Sequence, residues 1–321
     1  MVWSGSDDDE RRRAGVERMS MGAVEPKLIE ECAREAAERM SRWRRAIHRR
    51  PEIGLDTPET QRTVLAALEE LGVPVAATGG ECTSVVAEIR GAAGAGGRCV
   101  GLRADMDALP VREQTGLEFC SELDGVMHAC GHDAHTAMLL GAASVLSSLR
   151  EQFAGTVRLL FQPGEEGCGG ARVMIEEGAA DGLDAVFAVH VDPGRPVGTV
   201  ASRAGTFLAG FDNFEVVFEG SGGHASTPHA TRDPIAAIGP FVDGLAHVAA
   251  RETDPDDRAV LSVTMVQAGD ALNVIPRTAR CAGTIRTLSR RGGELARERL
   301  KRVAAGVAAS RDLTADVRLQ L

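Results

Sequence analysis

The sequence predicts an α/β protein, with a mainly parallel sheet in a first domain and a smaller α+β sandwich in a second. Up to about Arg203, strand-like apolar runs alternate with helical runs, which is the order of βαβ units. After Ala204-Gly205 the order becomes β-α-β-β-α-β, which is typical of a ferredoxin-like sandwich. We therefore place the two domains at residues 27–205 and 206–321, and we expect the charged residues 1–26 to form a disordered tail.

Two amphipathic helices open the first domain, because apolar residues recur at helical spacing from Leu28 to Arg50 and from Thr57 to Leu71. Pro51 and Gly72 end these helices. A third apolar helical run spans Ala137 to Leu149. The remaining predicted elements of this domain are strands at Ser84–Ile89, Cys99–Ala104, Thr156–Phe161 and Asp184–Val189, and a short helix at Gly170–Glu177.

Four strands and two helices make up the predicted second domain. The strands are Phe214–Glu219, Ala259–Gln267, Ala279–Thr287 and Ala315–Leu321. The helices are Ile235–Arg251 and Gly293–Ser310, and Pro240 is expected to kink the first of them. Asn273 to Pro276 is predicted to be a turn.

Composition excludes some classes of function. The 321 residues include 36 Lys and Arg and 46 Asp and Glu, which gives a net charge of −10. This acidic balance, with few aromatic residues, argues against nucleic-acid binding. The sequence has no apolar run of about 18 residues and no apolar signal-peptide core, so we expect no membrane helix. Seven cysteines without a paired framework fit a reducing compartment, and we expect a cytoplasmic protein.

The stretch from Met127 to Thr136 concentrates three histidines, a cysteine and an aspartate within ten residues. Cys130 and His132 are two residues apart, and Gly131 between them lets the backbone bend. Asp133 is expected to cap the helix that follows. A thiolate and an imidazole at the start of a helix indicate a site for a transition metal.

Further candidate ligands follow the strands of the first domain. Glu165 and Glu166 come just after one strand and His190 follows another, and such strand ends are where sites form in open α/β sheets. Asp105 and Asp107 follow a third strand. These two carboxylates could be metal ligands, partners that orient a histidine, or caps of the turn that follows them. For His48, in the last turn of the first helix, we expect a charge interaction with the helix dipole.

Several long motifs, in order, resemble the metallo-amidohydrolase family that includes bacterial aminoacylases, hippurate hydrolases and plant auxin–amino-acid conjugate hydrolases. The resemblance runs from about residue 40 to the end. The matching stretches are His48-Arg49-Arg50-Pro51-Glu52, Leu102 to Pro110, Met127 to Thr136, Gln162 to Gly167, His190, Gly222-Gly223-His224, Asn273-Val274-Ile275-Pro276 and Gly283 to Thr287.

The resemblance implies a metallopeptidase-like catalytic domain, with two divalent ions of Zn or Mn, and a smaller dimerisation domain that makes the protein a homodimer. By position, the residues that match metal ligands are Cys130, His132, Glu166 and His190. Glu165 matches the catalytic carboxylate and Asp107 matches an aspartate behind the metals. His224 matches a histidine that reaches the substrate carbonyl. Asn273 and Arg286 match positions that contact the substrate, although they could equally be a turn residue and a cross-strand surface charge.

The expected activity is cleavage of the amide bond of N-acyl amino acids by a metal-activated water with a glutamate base. Two alternatives stay open: a di- or carboxypeptidase with the same site, and a catalytically impaired dimerising protein. The family's catalytic domain resumes after the small domain and supplies a last histidine ligand, whereas no histidine follows His247 here. We therefore expect the catalytic domain to lack this closing segment and its activity to be impaired.

Overall fold

The computed structural model describes residues 24–94, 96–254 and 257–320, so residues 1–23 of the predicted tail lie outside the described residues. The chain divides into two compact units, Met1–Pro196 and Val197–Leu321. The boundary drawn from the sequence lies a little further along, at residues 205 and 206. Among the described residues, no helix has both the length and the apolar composition needed to cross a membrane.

The helices of the first unit are α1 (Pro26–Arg49), α2 (Pro58–Glu70), α3 (His132–Ser148) and α4 (Gly170–Glu176). Proline begins both α1 and α2, where its missing N–H is not needed. Helix α3 is buried along most of its length and packs against α1. It begins five residues before the predicted apolar run, at His132 itself, so this histidine of the candidate metal motif lies in its first turn.

The sheet of the first unit has the order β1-β2-β4-β3-β5. Its strands are β1 (Val75–Thr78), β2 (Val85–Arg90), β3 (Cys99–Asp105), β4 (Thr156–Gln162) and β5 (Ala185–Ala188). Strands β4, β3 and β5 are parallel neighbours, and β2 pairs antiparallel with both β1 and β4. The prediction of a mainly parallel α/β sheet is confirmed. Strand β1 was not predicted, because its four residues are all exposed and show no apolar alternation.

The parallel arrangement decides where the polar residues after each strand lie. Because β3, β4 and β5 run in the same direction, their carboxyl ends share one edge of the sheet. The centre of the sheet is covered by α3, whose Leu140 is fully buried with Phe161 of β4 and Met106 after β3. These packed side chains hold in place the strands whose carboxyl ends form that edge.

The second unit contains a four-stranded antiparallel sheet with the order β11-β6-β10-β8. Its elements are β6 (Gly210–Glu219), β7 (Gly223–His224), α5 (Ile238–His247), β8 (Ala259–Ala268), β9 (Val274–Ile275), β10 (Thr278–Thr287), α6 (Arg290–Ala309) and β11 (Thr314–Gln320). The four long strands and two helices follow the order β-α-β-β-α-β. A core of Phe218, Phe241 and Leu300 joins the helices to one face of the sheet.

Two local predictions in the second unit need correction. The sequence predicted that Pro240 kinks the interior of a helix. In the structure Pro240 lies in the first turn of α5, which begins only two residues earlier. The first turn of a helix has no use for the N–H that proline lacks, and the segment before it is a short 3₁₀ turn, Ile235–Ala237. The predicted turn at Asn273 to Pro276 contains the short strand β9, which pairs with β7.

Candidate metal centre

Chemically active side chains from three strands and one helix meet at the carboxyl edge of the parallel sheet. Asp105 ends β3, Glu165 and Glu166 follow β4, His190 follows β5, and His132 begins α3. Three overlapping groups have potential ligand atoms within 4.8 Å of one another: Cys130, His132 and His190; His132, Glu165 and Glu166; and Asp105, His132 and His135. His132 belongs to all three groups and is therefore the centre of the site.

The imidazole of His132 is buried and has one fixed tautomer. Its Nδ1–H donates to the backbone carbonyl oxygen of Asp107 at 2.7 Å, which leaves a lone pair on Nε2. Among the described residues, Nε2 has no hydrogen-bond partner. It lies 3.7 Å from Asp105 Oδ2, 3.9 Å from Glu165 Oε2 and 3.9 Å from Glu166 Oε1. A buried lone pair that faces three carboxylates fits a cation, because a cation would satisfy the nitrogen and offset the negative charges together.

The Asp107 carboxylate holds the two glutamates in place through the backbone. Its Oδ1 accepts the Glu165 N–H and its Oδ2 accepts the Glu166 N–H, both at 3.0 Å. Asp107 is itself almost completely buried. Both of its oxygens are therefore occupied in orienting the segment after β4.

Cys130 and His190 form the second pair of donor atoms. Their Sγ and Nε2 are 3.3 Å apart, and the His190 Nδ1–H donates to the Val191 carbonyl at 2.7 Å. His190 thus also directs an Nε2 lone pair toward the site. Burial, together with the charge of Glu166, raises the pKa of the Cys130 thiol to about 12. Without a cation the sulfur keeps its proton, and a bound metal ion would have to displace it.

Burial and the negative charge of Glu166 also raise the pKa of Glu165. Its side chain is 43% exposed, against 27% for that of Glu166. A carboxylate with a raised pKa and access to solvent accepts a proton more readily than an ordinary glutamate and can release it again. This distinguishes Glu165 from Glu166, whose side chain is less exposed.

The third group, Asp105 with His135, is already joined by internal hydrogen bonds. His135 Nδ1–H donates to Asp105 Oδ1 at 2.6 Å, and Arg103 donates to Oδ2 at 2.7 Å. Burial raises the pKa of Asp105, but the hydrogen bond from His135 and the charge of Arg103 outweigh it and lower that pKa to about 2. His135 Nε2 accepts the Val191 N–H at 3.0 Å. With these atoms occupied, Asp105 and His135 are not ligands in this arrangement.

Asp133 does not cap α3, contrary to the sequence-based expectation. The helix begins after Gly131, with no side-chain cap, and Asp133 lies within its first turn. Its Oδ2 accepts hydrogen bonds from His48 Nδ1 and Arg44 Nε, each at 2.9 Å. His48 lies in the last turn of α1, as expected, and is buried between Asp133 and Glu113. These partners are far apart in sequence, so no local pattern indicated the pairs.

The candidate residues of the second unit are described within that unit alone. His224 is exposed on β7, and its Nδ1 accepts from Ser226, which leaves the proton on Nε2. Asn273 lies beside it, because its carbonyl accepts the Ala225 N–H at 3.0 Å. Arg286 is exposed on β10, on the sheet face away from the helices, with its guanidinium 4.6 Å from the Phe211 ring. The structure records no contact of Arg286 with His224 or Asn273 among the described residues.

Sequence reasoning offered Asp105 as a possible partner that orients a histidine, but it did not pair Asp105 with His135 or with Arg103. His135 lies one helical turn after His132 and therefore faces the same side of α3, which is a signal that the spacing contained. No sequence feature linked it to Val191. His128 was also passed over; it is buried, and both its ring nitrogens lack hydrogen-bond partners among the described residues.

Comparison with known proteins supports a hydrolase family. The family model described as Peptidase family M20/M25/M40 matches residues 101–314. An N-acetylcysteine deacetylase of Bacillus subtilis (strain 168) is 43% identical over 271 residues, which are 84% of this chain and 71% of the relative. An IAA-amino acid hydrolase ILR1-like 2 of Arabidopsis thaliana is 42% identical over 302 residues, which are 92% of this chain and 66% of the relative.

A solved structure shows the same architecture. It is a Bacillus subtilis protein described as a dinuclear metal binding peptidase from the M20 family. It superposes with a TM-score of 0.74 at 38% identity, covering 89% of this chain and 74% of that one. The fold and the order of motifs are therefore those of this family.

Gly131→Ala should damage the centre more than a glycine replacement elsewhere. Gly131 has φ +88°, and an added Cβ would lie 2.5 Å from Val191 Cγ2. Gly125 has φ +78° with nothing within 4 Å of an added Cβ. Each alanine brings left-handed strain of about 1–2 kcal/mol, but only Gly131→Ala also displaces Val191. We expect lower zinc content by elemental analysis, and a larger loss of unfolding free energy in urea, for Gly131→Ala. Equal effects of the two changes would contradict this.

The stability of the first unit should depend on pH through His48. Hydrogen bonding to Asp133, helped by Glu113 and opposed by burial, raises the pKa of His48 above 6.5. The folded state therefore binds this proton more tightly than the unfolded state, so the stabilisation is complete below about pH 6.5 and is lost as pH rises through the folded pKa. In metal-free protein, the unfolding free energy lost in His48→Gln should shrink as pH rises. A pH-independent difference, or the same trend in exposed His229→Gln, would refute this.

Proposed function

The chain belongs to peptidase family M20/M25/M40, and on that premise we propose that it is a metal-dependent amidohydrolase that cleaves the amide bond of N-acyl amino acids. The observation that carries this proposal is the buried, unpartnered Nε2 of His132 beside Glu165 and Glu166. The names of the deacetylase and the IAA-amino acid hydrolase support the substrate class.

Cys130, His132, Glu166 and His190 would hold one or two divalent ions. Thiol and imidazole donors favour zinc, and carboxylate oxygens also accept manganese. Such ions, when bound, would lower the pKa of water and polarise an amide carbonyl. The two histidines suit this task, since each donates its Nδ1–H to a backbone carbonyl and keeps a lone pair on Nε2 that can bind a metal ion.

Glu165 is proposed as the residue that takes the proton from the attacking water and passes it to the leaving nitrogen. Its raised pKa favours proton uptake, and its exposure leaves it accessible to substrate. The Glu165 backbone N–H donates to Asp107 Oδ1, and this hydrogen bond holds the backbone from which the Glu165 side chain extends. Asp107 itself would position the catalytic segment without touching substrate.

Residues of the second unit would bind the substrate. His224 carries its proton on Nε2 and could donate it as a hydrogen bond to the developing oxyanion. Arg286 presents an exposed guanidinium whose planar fork matches a carboxylate, the group that every N-acyl amino acid retains. Asn273, next to His224, would add an amide contact.

A homodimer through the second unit is also part of the proposal. Strand β8 lies at one edge of the sheet and exposes Val260, Met265 and Val266. An edge strand has unpaired backbone N–H and C=O groups that a second copy can satisfy. The opposite edge, β11, exposes Asp316 and Arg318, and such charges disfavour edge pairing. Seven free cysteines favour a cytoplasmic location.

A peptidase acting on dipeptides is the second candidate. It is favoured by the similar Bacillus subtilis structure, which is described as a peptidase. The same water-activating groups would serve both reactions, so the substrates must be compared directly. Higher kcat/KM for dipeptides than for N-acetyl and N-benzoyl amino acids would favour the peptidase.

Replacing each glutamate should separate chemistry from metal binding. Glu165→Gln removes the proton acceptor and should lower kcat for N-acetyl amino acids at least about 100-fold with metal content unchanged. Glu166→Gln removes a ligand and should lower zinc or manganese content in elemental analysis. The role assignment fails if both variants lose metal equally, and the amidohydrolase proposal fails if metal-loaded wild-type protein hydrolyses none of these substrates.

Val266→Lys should weaken the dimer. A lysine on β8 places a charge on the exposed apolar edge, whereas Thr314→Lys on β11 adds the same charge to the opposite edge. We expect sedimentation analysis at micromolar concentration to give a dimer for wild type and Thr314→Lys, and a larger monomer fraction for Val266→Lys. A monomeric wild-type protein would rule the dimer out.

A further inference from the structure

His135 links the buried carboxylate of Asp105 to the segment that carries His190. It is 2% exposed and donates its Nδ1–H to Asp105 Oδ1 at 2.6 Å. This fixes the tautomer, so Nε2 can accept the backbone N–H of Val191 at 3.0 Å. Both ring nitrogens of His135 are therefore used, one on the sheet side and one on the side of the His190 segment.

Val191 connects the two histidines through its backbone. Its N–H donates to His135 and its carbonyl oxygen accepts the His190 Nδ1–H at 2.7 Å. The imidazole rings of His135 and His190 also meet edge to face, with centroids 4.6 Å apart. The Val191 side chain lies against Gly131, where an added Cβ would be 2.5 Å away. The residue after His190 is thus held by backbone bonds and by packing together.

The hydrogen bond from the Val191 N–H to His135 Nε2, called the tether below, matters because β5 gives the His190 segment little other support. Strand β5 has four residues, all exposed, and lies at the edge of the sheet. Its pairing with β3 ends at Ala188 opposite Arg103, two residues before His190. Beyond that point the direction of the His190 imidazole depends on the Val191 contacts.

We propose that His135, oriented by Asp105, is a positioning residue that holds the His190 segment through the Val191 N–H, so that His190 presents Nε2 to Cys130 and the metal site. The role of the metal rests on the proposed function. The tether itself is a property of the metal-free chain and can be tested there.

Arg103 makes Asp105→Asn an informative change. Arg103 donates to Asp105 Oδ2 at 2.7 Å, so an asparagine would keep its carbonyl oxygen toward Arg103 and turn its NH₂ toward His135. His135 Nδ1 would then have to accept, which moves the ring proton to Nε2. Two donors, His135 Nε2–H and Val191 N–H, would face each other. The change is nearly isosteric but removes the tether.

The test compares Asp105→Asn with Asp133→Asn in metal-free protein. Asp133 is the matched control because it is equally buried, near the same helix turn, and shared by a histidine and an arginine, His48 and Arg44. In Asp105→Asn we expect the ¹⁵N shifts of His135 to report the opposite tautomer. Hydrogen exchange at the Val191 amide should accelerate on the order of tenfold while exchange in β4 stays unchanged. Asp133→Asn should leave both signals as in wild type.

Metal binding provides the second measurement. In chelator competition, zinc affinity should fall about 10–100-fold in Asp105→Asn, the usual effect of losing a partner behind a ligand. Wild-type Val191 exchange and His135 tautomer in Asp105→Asn would overturn the proposal, as would equal losses in Asp133→Asn. If Asp105→Asn does not fold, His135→Leu, which has no acceptor for the Val191 N–H, must show the same faster Val191 exchange. A wild-type protein that binds neither zinc nor manganese would defeat the proposed function, whereas the Val191 result would still decide the tether.

Discussion

The hydrogen bonds of Asp107 are the constraint on which the rest of the candidate site depends. Its carbonyl oxygen holds His132 Nδ1–H, and its two carboxylate oxygens hold the Glu165 and Glu166 N–H groups. Asp107, two residues after the end of β3, thus connects the start of α3 to the segment that follows β4. Asp107 holds the His132 ring through its backbone carbonyl and the backbone of Glu165 and Glu166 through its carboxylate, so it orients all three residues before any ion binds.

His132 and His190 have the same tautomer, with the ring proton on Nδ1. His132 and His190 each donate Nδ1–H to a backbone carbonyl, so each directs an Nε2 lone pair inward. The thiol of Cys130, with its pKa raised to about 12, supplies no negative charge of its own. The negative charge comes from Glu165 and Glu166, and burial together with repulsion from Glu166 raises the pKa of Glu165. A cation would relieve this repulsion, and Glu165 is the carboxylate best able to exchange a proton with solvent.

Periodicity and apolar runs predicted most strands and helices of the fold, since these elements bury side chains in patterns that are visible locally. The order of motifs also placed Cys130, His132, Glu165, Glu166 and His190 at the carboxyl edge of one sheet. What escaped prediction depends on distant partners. The Asp133 carboxylate binds His48 instead of capping α3, and the exposed strand β1 forms only because β2 pairs with it. Which of two available partners a polar side chain chooses is decided by tertiary packing.

Helix α3 shows how such distant partners replace a local device. Its first turn has no side-chain cap, yet it carries His132. Two buried carboxylates brace it instead, each shared by a histidine and an arginine: Asp105 with His135 and Arg103, and Asp133 with His48 and Arg44. Burial of a carboxylate is costly, and these partners offset part of that cost, so each carboxylate holds the histidine and the arginine beside it. The two carboxylates differ in the segments they connect to α3. Asp133 bonds to residues of α1, whereas Asp105 bonds to His135, which in turn accepts the Val191 N–H. The orientation of His190 is therefore coupled to the same helix turn that sets His132.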